Sequence, residues 1–278
     1  MNYNEGIDFS HQAQEDGWVD EINKYRVNGR LCEWVAGFHT EKIPCQLDGG
    51  FMNGSYNICQ RFLFEDGTSL LLRFPRVKSI SPDYAEEKVM MEVEALSLLR
   101  ERTSVPVPEI RAWGLAAANP LGLGPFILME FIDGVCLNNI FTGSSSRLLK
   151  TEIPDSDLEI VYRQIANFIL QIFEIDFERI GSLPTPKTGY AAPVCPLTWK
   201  LQEIARTGGV DAFAMLARSI GDRSKSFSTT MEYFQYVIDQ DWKQLRDQPN
   251  SALGEQDCLA KYNSLEILES LIPQFVNT

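Results

Sequence analysis

Apolar and polar positions along the chain change rhythm near its middle. Residues 15–38 carry Trp18, Ile22, Tyr25, Leu31, Trp34 and Val35 at spacings that predict one or two short helices. Lys42–Leu47 reads as a short strand or extended lead-in, and Gly49–Ser55 as a glycine-rich turn. Tyr56–Phe64 follows as a strand. Asp66-Gly67 marks a hairpin, because that pair favours the primed turns. Ser69–Phe74 is then the return strand. Its Leu70-Leu71-Leu72 run indicates burial on both faces. From Asp83 to Arg102, Val89, Val93, Leu96 and Leu99 recur on one helical face. Val105-Pro106-Val107-Pro108 ends that helix and opens an extended segment. A hairpin-like region leads to the apolar strand Pro125–Ile132, which Asp133-Gly134 stops. Beyond residue 135 the helical period takes over. Leu158, Val161, Ile165, Phe168, Ile172 and Phe173 mark a long amphipathic helix, and Thr229–Leu245 and Glu255–Leu271 read as two more.

This order predicts an α+β fold: a twisted, antiparallel N-terminal sheet carrying one helix, followed by a mainly helical part. We divide it into an N-terminal helical extension (1–40), a sheet lobe (41–134) and a helical lobe (135–278), with the boundary near 132–136. A length of 278 residues suits one large domain or two closely packed lobes.

Composition narrows the function. The net charge is −13, with 25 basic against 38 acidic residues and no basic run, so nucleic acid is a poor partner. No apolar run reaches membrane-spanning length, and the first residues lack the basic-then-apolar pattern of a signal peptide. The six cysteines are widely spaced without a C-x-x-C pair, which predicts reduced thiols. Cytoplasmic location is the expectation that follows. The two histidines, His11 and His39, show no metal-ligand spacing.

Candidate chemistry lies in the sheet lobe. Glycines between two strands let backbone N–H groups approach phosphates, which singles out Gly50, Asn53, Gly54 and Ser55. The pattern is not a P-loop, since no lysine follows at the required place. Arg73 closes the return strand, and Glu92 lies in the next helix. A strand cation paired with a helix carboxylate is how kinase folds hold a nucleotide's phosphates. Glu94, Glu86 and Glu87 are rival partners. The backbone of 126–131, which includes Glu130 and Phe131, is a candidate hinge for an adenine edge, with Leu128 and Met129 lining the pocket.

These segments resemble the fungal branch of the aminoglycoside phosphotransferase family, a protein-kinase-like fold. The similar stretches are Gly50–Asn57, Leu71–Pro75, Glu92–Leu96, Val105–Glu109, Gly124–Gly134, Arg179–Leu183 and Pro196–Trp199, in family order. The resemblance implies ATP as cofactor with Mg²⁺, and phosphoryl transfer to a hydroxyl of a small molecule such as an amino-alcohol. It also implies that the glycine turn covers the phosphates, that Arg73 stands where relatives use Lys or Arg, and that Glu92 is its partner. One departure matters. The family's catalytic loop contains His-x-Asp and a downstream Asn, followed later by a metal-binding Asp. Both histidines here precede the sheet lobe. The chain is therefore expected to stop before the catalytic base and metal ligands and to lack turnover as it stands. Self-association through the incomplete helical lobe is a further expectation. The alternative class is a non-catalytic, pseudokinase-like nucleotide-binding or interaction module.

Overall fold

The computed structural model describes residues 3–142, 150, 153–189, 195, 197–198, 203–204, 206–207 and 223–275. Two helices come first, α1 (Tyr3–Val27) and α2 (Arg30–Ala36). The strands β1 (Cys45–Asn53), β2 (Asn57–Phe64) and β3 (Ser69–Pro75) follow, then α3 (Pro82–Arg102), β4 (Ile110–Gly114) and β5 (Phe126–Glu130). The strands form one five-stranded sheet in the order β1-β2-β3-β5-β4. Every neighbouring pair is antiparallel. After an irregular stretch come α4 (Leu137–Phe141), α5 (Asp155–Phe173), α6 (Thr230–Asp247) and α7 (Glu255–Phe275). The α+β class and the antiparallel sheet stand as expected.

Strict alternation on β2 and β3 explains the layering. Ile58, Phe62, Phe64, Leu70, Leu72 and Phe74 point to one face and join Ile22, Leu31 and Val35 of α1 and α2. Leu71, Ile127 and Met129 point to the other face and pack on Val89, Met90 and Val93 of α3. The sheet is thus covered on both sides by helices that precede and interrupt it, which accounts for the Leu70-Leu71-Leu72 run. The first helices are not an appendage, because they supply part of the main core.

Several local expectations shift. α1 starts at Tyr3 and runs for 25 residues, well before residue 15. In its early turns Asn4 and Gln12 make side-chain hydrogen bonds to Asn250 and Asp16 and Phe9 is exposed, so periodicity did not reveal them. The glycine run is not one turn. β1 continues through Gly49-Gly50-Phe51 to Asn53, and its pairing with β2 is irregular between Asp48 and Met52. Gly49, at φ +71°, takes the left-handed conformation that this bulge needs. The buried Gln60 carboxamide donates to Gly49 O at 3.4 Å and to Arg61 O at 2.8 Å, filling the gap in the ladder. The true hairpin tip is Gly54-Ser55-Tyr56, closed by Gly54 N–H to Asn57 O at 2.9 Å. The second hairpin forms as expected. Gly67 sits at φ +87°, and Asp66 Oδ1 accepts from Thr68 N–H at 2.8 Å.

The later segments dock on α3 through its carboxylates. Glu87 pairs with Arg223, whose Nη1 lies 3.0 Å from Glu87 Oε2. Glu94 accepts from Thr188 N–H at 2.7 Å, Thr188 Oγ1 at 2.8 Å and Lys187 N–H at 3.1 Å. Ile180 and Phe227 form an isolated antiparallel bridge. Within the Pro196–Trp199 stretch, Thr198 is buried and its hydroxyl donates to Gln240 Oε1 at 2.8 Å. Pro196, Trp199 and the last residues after Phe275 lie outside the described residues.

Candidate functional site

Arg73 is the last residue of β3 to pair with β5, opposite Ile127, and it lies opposite Cys59 on β2. Alternation turns its side chain to the α3 face. There its Nη1 forms an ion pair with Glu92 Oε1. Both side chains are about a quarter exposed, at 27% and 21%. The pair is therefore neither sealed in the core nor free in solvent. Lys88, one turn before Glu92, reaches Glu92 Oε2 at 3.1 Å. Asn57, at the base of the hairpin tip, completes the cluster. With its amide oxygen facing the guanidinium, it accepts from Arg73 Nη2 at 2.7 Å and from Nε at 3.2 Å. Two cations thus share one helix carboxylate next to a glycine hairpin, leaving a net positive corner on an otherwise acidic chain. Cys59 lies beneath this corner, and burial pushes its thiol pKa up, so it stays a neutral thiol.

The rival carboxylates are occupied elsewhere. Glu86 accepts from Ala116 N–H at 3.0 Å, while Glu87 and Glu94 hold the later segments. Helical spacing decides this: Glu87 and Glu94 lie seven residues apart on one face of α3, and Glu92 lies on another.

The remaining expected site residues scatter. Gly50 lies within the β1 bulge, and Asn53 pairs with Ile58 at the end of the strand. Gly54 and Ser55 form the hairpin tip, where both carbonyls accept side-chain hydrogen bonds. Leu128 does not line the Arg73 face. It is fully buried on the opposite face, in the core shared with α1 and α2. Met129 is on the correct face but is buried against α3. Nor are the N–H groups of Glu130 and Phe131 available to a ligand, since they donate to Glu109 O at 2.8 Å and Ser69 O at 3.1 Å. The Phe131 ring carries the Arg61 guanidinium 4.1 Å from its centroid. Arg61 also holds Asp48 at 3.0 Å and Asp133 at 3.2 Å, fastening the exit of β5. Because β5 is an interior strand, its ladder consumes the backbone groups that a hinge would offer.

Sequence reasoning missed Asn57, Lys88 and Arg76, whose Nη1 donates to Gly54 O at 3.0 Å. Lys88 and Glu92 are four apart, a readable helical pair. Asn57 and Arg76 carried no local signal. Two cavities lie away from this corner. One, of about 680 Å³, is bounded by Asp8, Arg206, Asp241, Gln244 and Lys261. The other, of about 720 Å³, lies between the end of α3 and the end of α5. Among the described residues, no group of three or more His, Cys, Asp or Glu side chains is gathered to hold a metal. Among the described residues no helix is long and apolar enough to cross a membrane.

No protein-family profile matches the chain. It is 32% identical over 119 residues to a Scheffersomyces stipitis protein named "Altered inheritance of mitochondria protein 9, mitochondrial", covering 42% of this chain and 18% of the relative. The protein of the same name from Lodderomyces elongisporus is 32% identical over 164 residues, 59% of this chain and 25% of the relative. A subtelomeric hrmA-associated cluster protein of Aspergillus fumigatus is 28% identical over 130 residues, 47% of this chain and 23% of the relative. The matches thus span a quarter or less of these relatives' length. The names of the first two overturn the cytoplasmic location expected from composition and the absence of a leader-like start. Neither observation excludes an organelle whose interior is also reducing.

Proposed function

We propose that residues 41–134 are the nucleotide-holding lobe of a kinase-like small-molecule phosphotransferase. The observation that carries this reading is the Arg73–Glu92 ion pair next to the β1–β2 glycine hairpin. A permanent, planar cation held by a helix carboxylate is suited to gripping phosphate oxygens in fixed register. The antiparallel sheet order, with α3 packed beside β5, supports the same reading. ATP would be held by Arg73, with Lys88 adding charge and the Gly54–Tyr56 tip covering it. The adenine-binding backbone is assigned to residues 132–134, past the ladder. The acceptor class is a small-molecule hydroxyl, as in amino-alcohols. The relatives' names support a mitochondrial location.

We propose that these 278 residues do not themselves complete phosphoryl transfer. No histidine follows His39, so no His-x-Asp loop is present in the later part. Transfer needs a carboxylate to orient the hydroxyl and liganded metal to meet the developing charge. The test is titration with a fluorescent ATP analogue, with ADP release followed over a panel of amino-alcohols and aminoglycosides. Arg73→Ala should weaken binding at least tenfold, in line with loss of a charge-assisted contact worth roughly 1.5–3 kcal/mol. Undiminished binding in that variant refutes the site. Turnover that disappears with Arg73→Ala refutes the inactivity.

A further inference from the structure

The hairpin tip over the candidate site is tied down from an unexpected direction. Glu15 sits in the middle of α1 and is only 2% exposed. Its Oε1 accepts from Arg76 Nε at 2.6 Å, and its Oε2 accepts from Lys78 N–H at 3.1 Å. Arg76, one residue past β3, turns its Nη1 to Gly54 O at 3.0 Å, and its own N–H donates to Tyr56 O at 3.0 Å. Ser79 Oγ donates to Ser55 O at 2.7 Å. Each residue of the tip, Gly54, Ser55 and Tyr56, thus has its carbonyl held by the segment after β3. That segment is in turn held by one buried carboxylate of α1. The helix itself is pinned to the sheet, since Trp18 Nε1 donates to Leu123 O at 3.0 Å and its ring meets Phe74 edge-on.

A buried ion pair is a poor stabiliser compared with apolar packing, because desolvation offsets most of its attraction. What it supplies is direction. A planar guanidinium fixed on one edge by a carboxylate has its other N–H groups aimed. Here Nη1 aims at Gly54 O, which draws that carbonyl to the α1 side, while the Arg76 backbone N–H and Ser79 Oγ hold the carbonyls of Tyr56 and Ser55. A tip rich in glycine would otherwise sample many conformations.

We propose that Glu15, acting through Arg76, is a positioning residue for the β1–β2 tip. α1 is therefore part of the tip's positioning machinery. The consequence for nucleotide affinity rests on the function proposed above; the positioning itself does not.

The test compares Glu15→Gln, Arg76→Gln and the double variant with the unaltered chain by hydrogen–deuterium exchange. The double variant replaces a buried charge pair with two neutral amides and leaves no unpaired buried charge, which protects folding. Exchange in peptides covering 52–57 should rise roughly tenfold in Glu15→Gln, the effect of losing a hydrogen-bonded charge. Peptides covering β3 and β5 should not change. The double variant should be no worse than Arg76→Gln alone, because the amide oxygen left at position 15 can still accept from Lys78 N–H, so that what Glu15→Gln removes runs through Arg76. Unchanged exchange at 52–57 in Glu15→Gln overturns the proposal. So does an increase spread evenly over the sheet, or additive effects in the double variant. A parallel titration with the fluorescent ATP analogue separates the two claims. Local loosening with several-fold weaker binding supports both. Local loosening in a chain whose unaltered form binds no analogue supports the positioning and refutes the nucleotide reading.

Discussion

The sheet with its flanking helices and the amphipathic helices that follow illustrate two ways of treating apolar surface. In the first, Phe62, Leu72, Leu128, Leu31 and Val35 are wholly buried, and both faces of the sheet are closed by α1, α2 and α3. In the second, α5 leaves Ile160, Ile165, Ile169, Leu170 and Phe173 open, with Phe173 83% exposed, and has no buried residue. Both regions have well-patterned sequences. What differs is closure. A sheet packed between its own helices is complete, whereas an amphipathic helix stabilises a fold only when something covers its stripe. Regular hydrophobic periodicity therefore identified the helix correctly while leaving its burial undecided.

The largest expected contrast is in stability. Phe62→Ala should cost about 3–5 kcal/mol, since it removes a fully buried ring between two packed layers. Phe173→Ala should change stability by less than about 0.5 kcal/mol. Urea unfolding of both variants measures the contrast, and similar losses would show that α5 is covered in solution.

The seam between the regions comes next. Glu87 is 4% exposed and its partner Arg223 12%. Glu87→Gln should cost about 3 kcal/mol, because it strands a desolvated guanidinium. The readout is early proteolytic cleavage near residue 223 with the sheet region intact. A fragmentation pattern like that of the unaltered chain would mean the seam is held by other contacts.

A smaller effect concerns the junction of α2 and β1. Cys45 Sγ lies 3.4 Å from Cys32 O. A hydrogen bond from Cys45 lowers the Cys32 thiol pKa to about 7, while Cys45 is shifted upward by the same bond. The pair thus gives up one proton readily and holds the second. Alkylation at Cys32 should climb as pH rises through 7 and fall steeply below it, since only the thiolate reacts. Cys45→Ala should move that rise toward pH 9, slowing labelling at pH 7 several-fold. Mass spectrometry of the Cys32 peptide reads the rate, and an unchanged pH profile would remove Cys45 as the cause.

The smallest effect on stability, though visible in assembly, is predicted for the open stripe. We propose self-association through α5, as expected for an exposed apolar face of this size. Ile165→Lys with Ile169→Lys should lower the mass seen by light scattering while leaving the unfolding midpoint within about 0.5 kcal/mol of the original. A chain that is monomeric before the substitutions rules this out.

Local chemistry made parts of the site readable. Asp66-Gly67 announced its hairpin because few other residues tolerate that turn. Arg73 and Glu92 were recognised because a strand end and a helix face each present one charge at a predictable position. Leu128 was misplaced for a related reason: one residue of register moves a strand side chain to the opposite face, and an all-apolar strand carries no alternation to reveal which face is which. The hinge assignment to 126–131 failed because the sequence does not say whether a strand is at the edge or in the interior of a sheet.

By itself the sequence determined the α+β class, the positions of β2, β3 and β5 to within a few residues, the identity of the strand cation and its helix partner, and the helical character of the later part. These follow from periodicity and turn chemistry, which act over a few residues. Only the tertiary structure decided that β1 bulges at Gly49, that Glu87 and Glu94 serve the seam and not Arg73, that α1 reaches across 61 positions to hold Arg76, and that α5 stands open. Each of these depends on which distant segments share a desolvated space, and no local pattern of residues encodes that.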